Sequence, residues 1–232
     1  MEIERIKSGI TGLDEILGGG IPKGHTVSVI GPFGTGKTTL AMQFINQGLL
    51  ENENCFYLSL EEESESLMKT AEIFGFNFKK YYDEGKLKIF RLSPSDASDI
   101  SSRIKEITEE FRENEIKRLV LDSASLLTMV FREDQDKRNV LFTLSKGLKD
   151  SGITSIFTGE IDLSNRQSSR DGLLEYVSDG VILLDMRKND KNTETYLTIQ
   201  VLKMRKIPHS RKIYPFEIKE NGIEVQSEIT LL

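Results

Sequence analysis

One cysteine in 232 residues, Cys55, leaves nothing from which to build a disulfide framework or a Cys-x-x-Cys metal pair. Its surroundings, NCFYLSL, are strand-like, so it reads as a small core hydrophobe rather than a reactive thiol. Long apolar runs are missing too. No stretch reaches the length that spans a bilayer, and the opening MEIERIKSGI has no apolar core of the secretory kind. The expected setting is therefore cytoplasmic and reduced, with no membrane partner. Internal repeats and low-complexity linkers are also absent. Positive charge is in deficit: 31 Lys and Arg against 37 Asp and Glu give a net charge of −6. That balance argues against a general nucleic-acid binder, although a local patch could still act. With 38% apolar and 29% charged residues, the chain has the makeup of a soluble globular protein. Its length suits one large α/β domain that buries its core without disulfide or metal staples.

Apolar runs alternate with helical patterns through most of the chain. TVSVIG (26–31), NCFYLSL (54–60), LKIFRL (87–92), KRLVLD (117–122) and TSIFTG (154–159) read as buried strands. Between them, 37–50, 64–75, 98–114 and 135–150 carry helix-period apolar residues, such as Ile104, Ile107, Thr108 and Phe111, or Val140, Leu141, Leu144 and Leu148. Repeated β-α units imply a mostly parallel sheet with helices on both faces. Past residue 180 the helices stop. GVILLDM (180–186), TYLTIQVLKM (195–204), KIYPFEI (212–218) and GIEVQ (222–226) are joined by short polar turns, which reads as an antiparallel meander. The glycine-rich SGITGLDEILGGGIPKG (8–24) holds one apolar helical turn, Leu13, Ile16 and Leu17, and reads as a structured lead-in over residues 1–25. The expectation is a single domain, 1–232, with a β meander at 180–232.

GPFGTGKTT, Gly31 to Thr39, fits G-x-x-x-x-G-K-[ST] without deviation, after a β-branched strand and before an amphipathic helix. Backbone N–H groups must converge on a phosphate there, and side chains would obstruct them; the helix N-terminus adds its positive end. The phosphate-binding candidates are thus Gly31, Pro32, Phe33, Gly34, Thr35, Gly36, Lys37, Thr38 and Thr39. Lys37 would reach the β/γ oxygens and the Thr38 hydroxyl would ligate Mg²⁺. A second metal-side carboxylate belongs at a neighbouring strand end, where RLVLDSAS supplies Asp122; alone, such an Asp could equally be a helix cap. YLSLEEES offers a base for water. Glu63 and Glu65 fit the solvated first turn of a helix, whereas Glu61 and Glu62 stand at the carboxyl end of a strand, where ligands bind in open α/β sheets. Adjacent like charges can also raise one pKa toward a useful value.

One basic cluster stands out in this acidic chain: VLKMRKIPHSRK (201–212), with Lys203, Arg205, Lys206, Arg211 and Lys212 around His209. It could be a nucleic-acid patch, a solvated turn or a device for one particular anion.

Together, SGITGLDEILGGGIPKG, GPFGTGKTT, SLEEE, LVLDSAS, EYVSDGVILL and KMRKIPH…YPFEI resemble the single-domain KaiC-like ATPases of the RecA superfamily, from about Ser8 to Val225. The resemblance implies a RecA-like P-loop core, ATP and Mg²⁺ as ligands, and a homo-oligomeric ring, six-membered, with ATP between subunits. It puts paired catalytic glutamates on Glu61 and Glu62 and the metal-side aspartate on Asp122. It also puts on Lys203 and Arg205 a Lys-x-Arg pair that reaches a neighbour's γ-phosphate. Two apart on a strand, those two share a face and Lys206 points away. Thr158 and Glu160, in FTGE, become sensors or a plain strand end. Lys206-Ile207-Pro208 departs from the Gly-Thr or Gly-Ser usual before the family's histidine, leaving His209 undecided. Arg170 stands where the autokinase half of the clock protein would need a threonine, so autokinase activity is not expected.

Three functions follow. The favoured one is hydrolysis of ATP at ring interfaces to drive a conformational or partner-release cycle, with Glu62 polarising water and Glu61 supporting. The second is a DNA recombination or repair accessory, for which 125–138 and 160–172 would be the mobile basic loops; their mixed charge disfavours it. The third is an ATP-gated scaffold with little turnover.

Overall fold

The computed structural model describes residues 3–92, 100–188 and 193–230. A nine-stranded sheet organises them, in the order β11-β10-β9-β8-β3-β7-β6-β4-β5. Its parallel part comprises β3 (Thr26–Ile30), β4 (Asn54–Ser59), β5 (Leu87–Arg91), β6 (Ile116–Asp122), β7 (Thr154–Gly159) and β8 (Gly180–Lys188). Strands β9 (Thr195–Met204), β10 (Ile213–Lys219) and β11 (Gly222–Val225) extend it antiparallel. This is the expected α/β architecture, with one refinement. β8 pairs parallel with β3 on one side and antiparallel with β9 on the other, so the meander is fused to the core through it.

The central strands are buried on both faces, which is why they read as continuous apolar runs. Two hydrophobic layers result. α2 (Lys37–Leu50), α3 (Ser64–Ile73) and α4 (Phe78–Asp83) close one face with Leu40, Phe44, Leu67 and Phe78. α5 (Ile100–Glu113), α6 (Ala124–Met129), α7 (Asp134–Asp150) and α8 (Leu174–Val177) close the other with Phe111, Leu127, Leu144 and Leu174. β6 feeds both, Val120 to the first and Leu119 and Leu121 to the second.

The lead-in is structured as expected, with α1 spanning Leu13–Ile16 and a two-residue pairing of β1 (Arg5–Ile6) with β2 (Ile21–Pro22). It docks on the last strand: Val225 N–H donates to Thr11 O, and a Cβ on Gly12 would lie 2.1 Å from Val225 O. Gln43 of α2 ties the two, donating to Gly9 O and Ile223 O and accepting from Ile223 N–H at 2.7 Å.

Several details differ from the periodicity reading. The 64–75 helix stops at Ile73, where Gly75 takes a positive φ, and a separate α4 follows. Segment 125–138, the first candidate loop of the DNA reading, holds most of α6 and the first turn of α7 with only 130–133 between them; the Ser123 hydroxyl caps α6 by accepting from Leu126 N–H. Residues 98 and 99 of the expected 98–114 helix, the Ile104 side chain and the middle of the 187–194 turn lie outside the described residues.

Candidate active site

Sheet register brings the chemistry to the carboxyl ends of the parallel strands. Ile30 is level with Gly159, Ser59 with Asp122, and Val29 with Thr158. Gly31 then donates its N–H to Gly159 O as the P-loop begins. Gly31 to Gly36 form the turn, and Lys37, Thr38 and Thr39 open α2. Glycine is required at two points here. A Cβ on Gly31 would lie 2.4 Å from Leu184 O, and Gly36 has φ +84° with Ile218 Cδ1 2.9 Å from where its Cβ would be. Thr35 is buried and donates to Pro32 O at 2.8 Å, which closes the loop on itself. Phe33, at its tip, projects into solvent.

Lys37 lies inside the turn, where Nζ donates to Gly31 O at 3.0 Å and Pro32 O at 2.8 Å. Burial pushes its ammonium below the usual lysine value, and Asp122, Glu160 and Glu61 oppose that shift. Three carboxylates from three strand ends thus act on one cation. Asp122 is the most enclosed of the three, accepting from Tyr57 Oη at 2.8 Å and from the Thr158 hydroxyl. Burial and then the Asp122 charge push the Tyr57 phenol far above its usual value, so it stays a neutral donor.

The glutamate pair divides. Glu61 keeps an exposed surface, yet burial of its carboxyl raises its pKa, followed by repulsion from Asp122 and more weakly Glu160; the Ser123 hydroxyl and Lys37 pull the other way. Glu62 faces elsewhere: its carboxylate accepts from Ser66 Oγ at 2.8 Å, and its backbone is held at both N–H and C=O by Ser59 Oγ. Glu160 pairs with Arg170 at 3.1 Å, and its N–H donates to Ser125 Oγ. Thr158 and Glu160 are therefore both attached to the site, one through Asp122 and one through Lys37. Sequence reasoning missed Tyr57 and Ser66, which carry no signal beyond a strand tyrosine and a helix serine.

The donor chemistry suits Mg²⁺. Thr38 at the helix start and the Asp122 carboxylate are hard oxygen ligands, and Mg²⁺ usually binds through one or two carboxylates plus substrate phosphates. Among the described residues no group of three or more His, Cys, Asp or Glu forms a protein-only metal cage, and such a site needs none.

Lys203 and Arg205 lie at the other end of the sheet. Lys203 pairs with Val181 at the start of β8, whereas the P-loop begins level with Leu184. Lys203 Nζ donates to Glu175 O and Ser178 O, both at 2.8 Å; burial, then Arg205, lowers its ammonium. Arg205 is one residue past β9, with Nη1 3.7 Å from Asp179 Oδ1. Asp179 also accepts from Lys149 and Thr26 N–H. Burial alone would raise the Asp179 carboxyl, but these partners hold it below the usual range. His209 sits in the turn that packs on α1, where Ser210 N–H donates to Ile16 O. Its Nε2 is buried with no hydrogen-bond partner among the described residues.

A parallel sheet with a glycine-rich loop, a buried lysine and a strand-end aspartate defines a P-loop nucleotide-binding protein of RecA-like α/β fold. The family follows from comparison. Residues 6–229 match the family model described as "ATPase: KaiC", and the chain belongs to the KaiC ATPase family. It is 34% identical to a UPF0273 protein of Methanopyrus kandleri, over 98% of this chain and 94% of that one. It is 33% identical to the circadian clock oscillator protein KaiC of Thermostichus vulcanus, over 97% of this chain but only 44% of the clock protein. Among solved structures, the KaiC-like protein of Pyrococcus horikoshii OT3 matches with a TM-score of 0.86 and 38% identity, over 97% of this chain and 99% of that one. The KaiC-like, single-domain resemblance drawn from the motifs is thereby met. No helix among the described residues is long and apolar enough to cross a membrane.

Proposed function

We propose that this chain is a Mg²⁺-dependent ATPase that hydrolyses ATP between the subunits of a homo-oligomeric ring. The observation that carries the reading is a P-loop with Lys37 folded inside its turn, set among the parallel strand ends where Tyr57 and Thr158 hold Asp122. The P-loop amides and Lys37 hold the phosphates, and Thr38 and Asp122 hold the metal. Mg²⁺ supplies charge neutralisation of the phosphate oxygens when bound. Glu61 takes the larger part in accepting a proton from the attacking water, because its raised pKa suits a base; Glu62, turned toward Ser66, supports the strand end. This reverses the order expected within the pair.

Lys203 and Arg205 act on a neighbour's ATP. Their place at the far end of β8 and β9 supports a head-to-tail arrangement, since a pair on the wrong end of its own sheet serves the next subunit. Hydrolysis then drives a conformational or partner-release cycle. The DNA reading loses support, because the arginines of segment 160–172 are engaged: Arg166 with Asp185 and Arg170 with Glu160. Phosphate release at steady state tests the enzyme claim. Lys37→Ala should reduce turnover by at least about a hundredfold. If wild type and Lys37→Ala match, the chain binds nucleotide as a scaffold and is not an ATPase.

A further inference from the structure

Four of the large exposed hydrophobic side chains stand in two clefts, one at each end of the parallel strands. At the nucleotide end, Phe33 is 86% exposed on the P-loop tip and Leu163, in the loop after β7, is 81% exposed. Both line one cleft with Pro32, Glu160, Asp162 and Arg170. Phosphate binding needs backbone amides from this loop and has no use for an outward-facing phenyl ring. At the opposite end, α7 and α8 border a cleft of about 400 Å³ lined by Phe142, Leu173, Tyr176, Val177 and Arg138. Phe142 is 62% exposed there and Tyr176 80%.

These features cannot meet within one chain. β3 and β8 are parallel neighbours, with Val27 level with Gly180 and Ile30 with Leu183. Phe33 follows the end of β3, whereas Tyr176 precedes the start of β8. Three strand steps, roughly 10 Å, separate them along the strands before either loop is counted. Tyr176 is also bracketed by the carbonyls of Glu175 and Ser178 that hold Lys203 Nζ. An arrangement that carries Lys203 to ATP on a neighbour therefore also brings the backbone around Tyr176 to that neighbour.

We propose that Phe33, flanked by Leu163, is an apolar plug that seats in the Phe142–Tyr176 cleft of a second copy of this chain. This rests on the head-to-tail reading above and names the contact that would hold it. Aromatic rings are enriched at the cores of protein interfaces, where the hot spots sit in well-packed, desolvated pockets. Charge agrees, because Arg138 lines the receiving cleft while Asp162 lines the cleft beside the plug, where Arg170 is taken up by Glu160. The plug is part of the phosphate loop, so assembly and nucleotide affinity are linked and any coupling between them is reciprocal.

Paired cysteines test the contact cleanly, because Cys55 is buried and is the sole native thiol. The Phe33→Cys/Tyr176→Cys double variant, oxidised with MgATP present, should give a ladder of covalent species longer than dimers on a non-reducing denaturing gel. Each single variant should stay monomeric on that gel. Light scattering on wild type with MgATP reports assembly independently. An assembled wild type whose double variant gives no ladder overturns the plug and leaves the head-to-tail reading standing. Dimers from either single variant would indicate a symmetric contact and overturn it as well. A wild type that stays monomeric overturns both readings. Tyr176→Ala, at an exposed position that the fold does not need, should raise the concentration for half-assembly about tenfold; an unchanged value counts against the plug.

Discussion

Glu61 is where the site's electrostatics become testable. Its carboxyl is raised by burial and by two negative neighbours, Asp122 and Glu160, and a base works only when ionised. Activity should therefore fall as pH drops through a value above the ordinary glutamate figure of about 4.3. Glu160→Gln removes one of the repelling charges, which makes ionisation easier and moves the acid limb of kcat/KM to lower pH. Phosphate release from pH 4.5 to 8 reads the limb directly, and an unmoved limb would mean that Glu160 does not act on Glu61. Residue-scale legibility was uneven for a physical reason. The glycines, Lys37 and Asp122 were readable because a phosphate loop and a strand end leave few alternatives at those positions. The division between Glu61 and Glu62 was not, because it turns on the Ser66 hydroxyl one helical turn away, to which three consecutive glutamates give no clue.

Elements are fixed to one another by a few buried polar groups, of which Arg118 is the largest. It emerges from β6 fully buried and bonds Glu51 and Glu53 beyond α2, donates to Lys7 O and Phe44 O, and lies 4.9 Å over the Phe44 ring. Arg118→Met fills similar volume but abandons every one of those bonds. Glu51 and Glu53 are partly exposed and can rehydrate, so the cost should be about 2–3 kcal/mol, less than the roughly 3–5 kcal/mol of a fully buried pair. The midpoint of urea unfolding measures it; a shift under about 0.5 kcal/mol would show that the staple contributes packing alone. The central strands were legible as continuous apolar runs, and the longer helices because their period persists over several turns. α6 was not: six residues give too few turns for a period to register, although Ser123 offered a capping signal. β8 read as the start of a meander because pairing direction is set by the neighbouring strands, Val27 to Ile30 on one side and Thr195 to Met204 on the other.

At the scale of the whole molecule, the sheet has a nucleotide end and a cationic end, and the proposed chemistry needs one of each from different copies. Arg205→Ala keeps Glu61 and lacks the trans cation, while Glu61→Gln keeps the cation and lacks the base. Each protein alone should lose activity, by about a thousandfold or more for the arginine. In a randomly mixed ring at equal amounts, a productive site needs a Glu61-competent subunit beside an Arg205-competent one. That pairing occurs at about one site in four, so the mixture should regain about a quarter of wild-type turnover. Regain cannot occur if both residues serve the same subunit's ATP, since no subunit in the mixture carries both. Steady-state phosphate release after subunit exchange decides the matter, with co-assembly established by mass on the same samples. Co-assembled rings that remain inactive would place Arg205 and Glu61 in one site, and would require the cationic end of the sheet to serve something other than ATP.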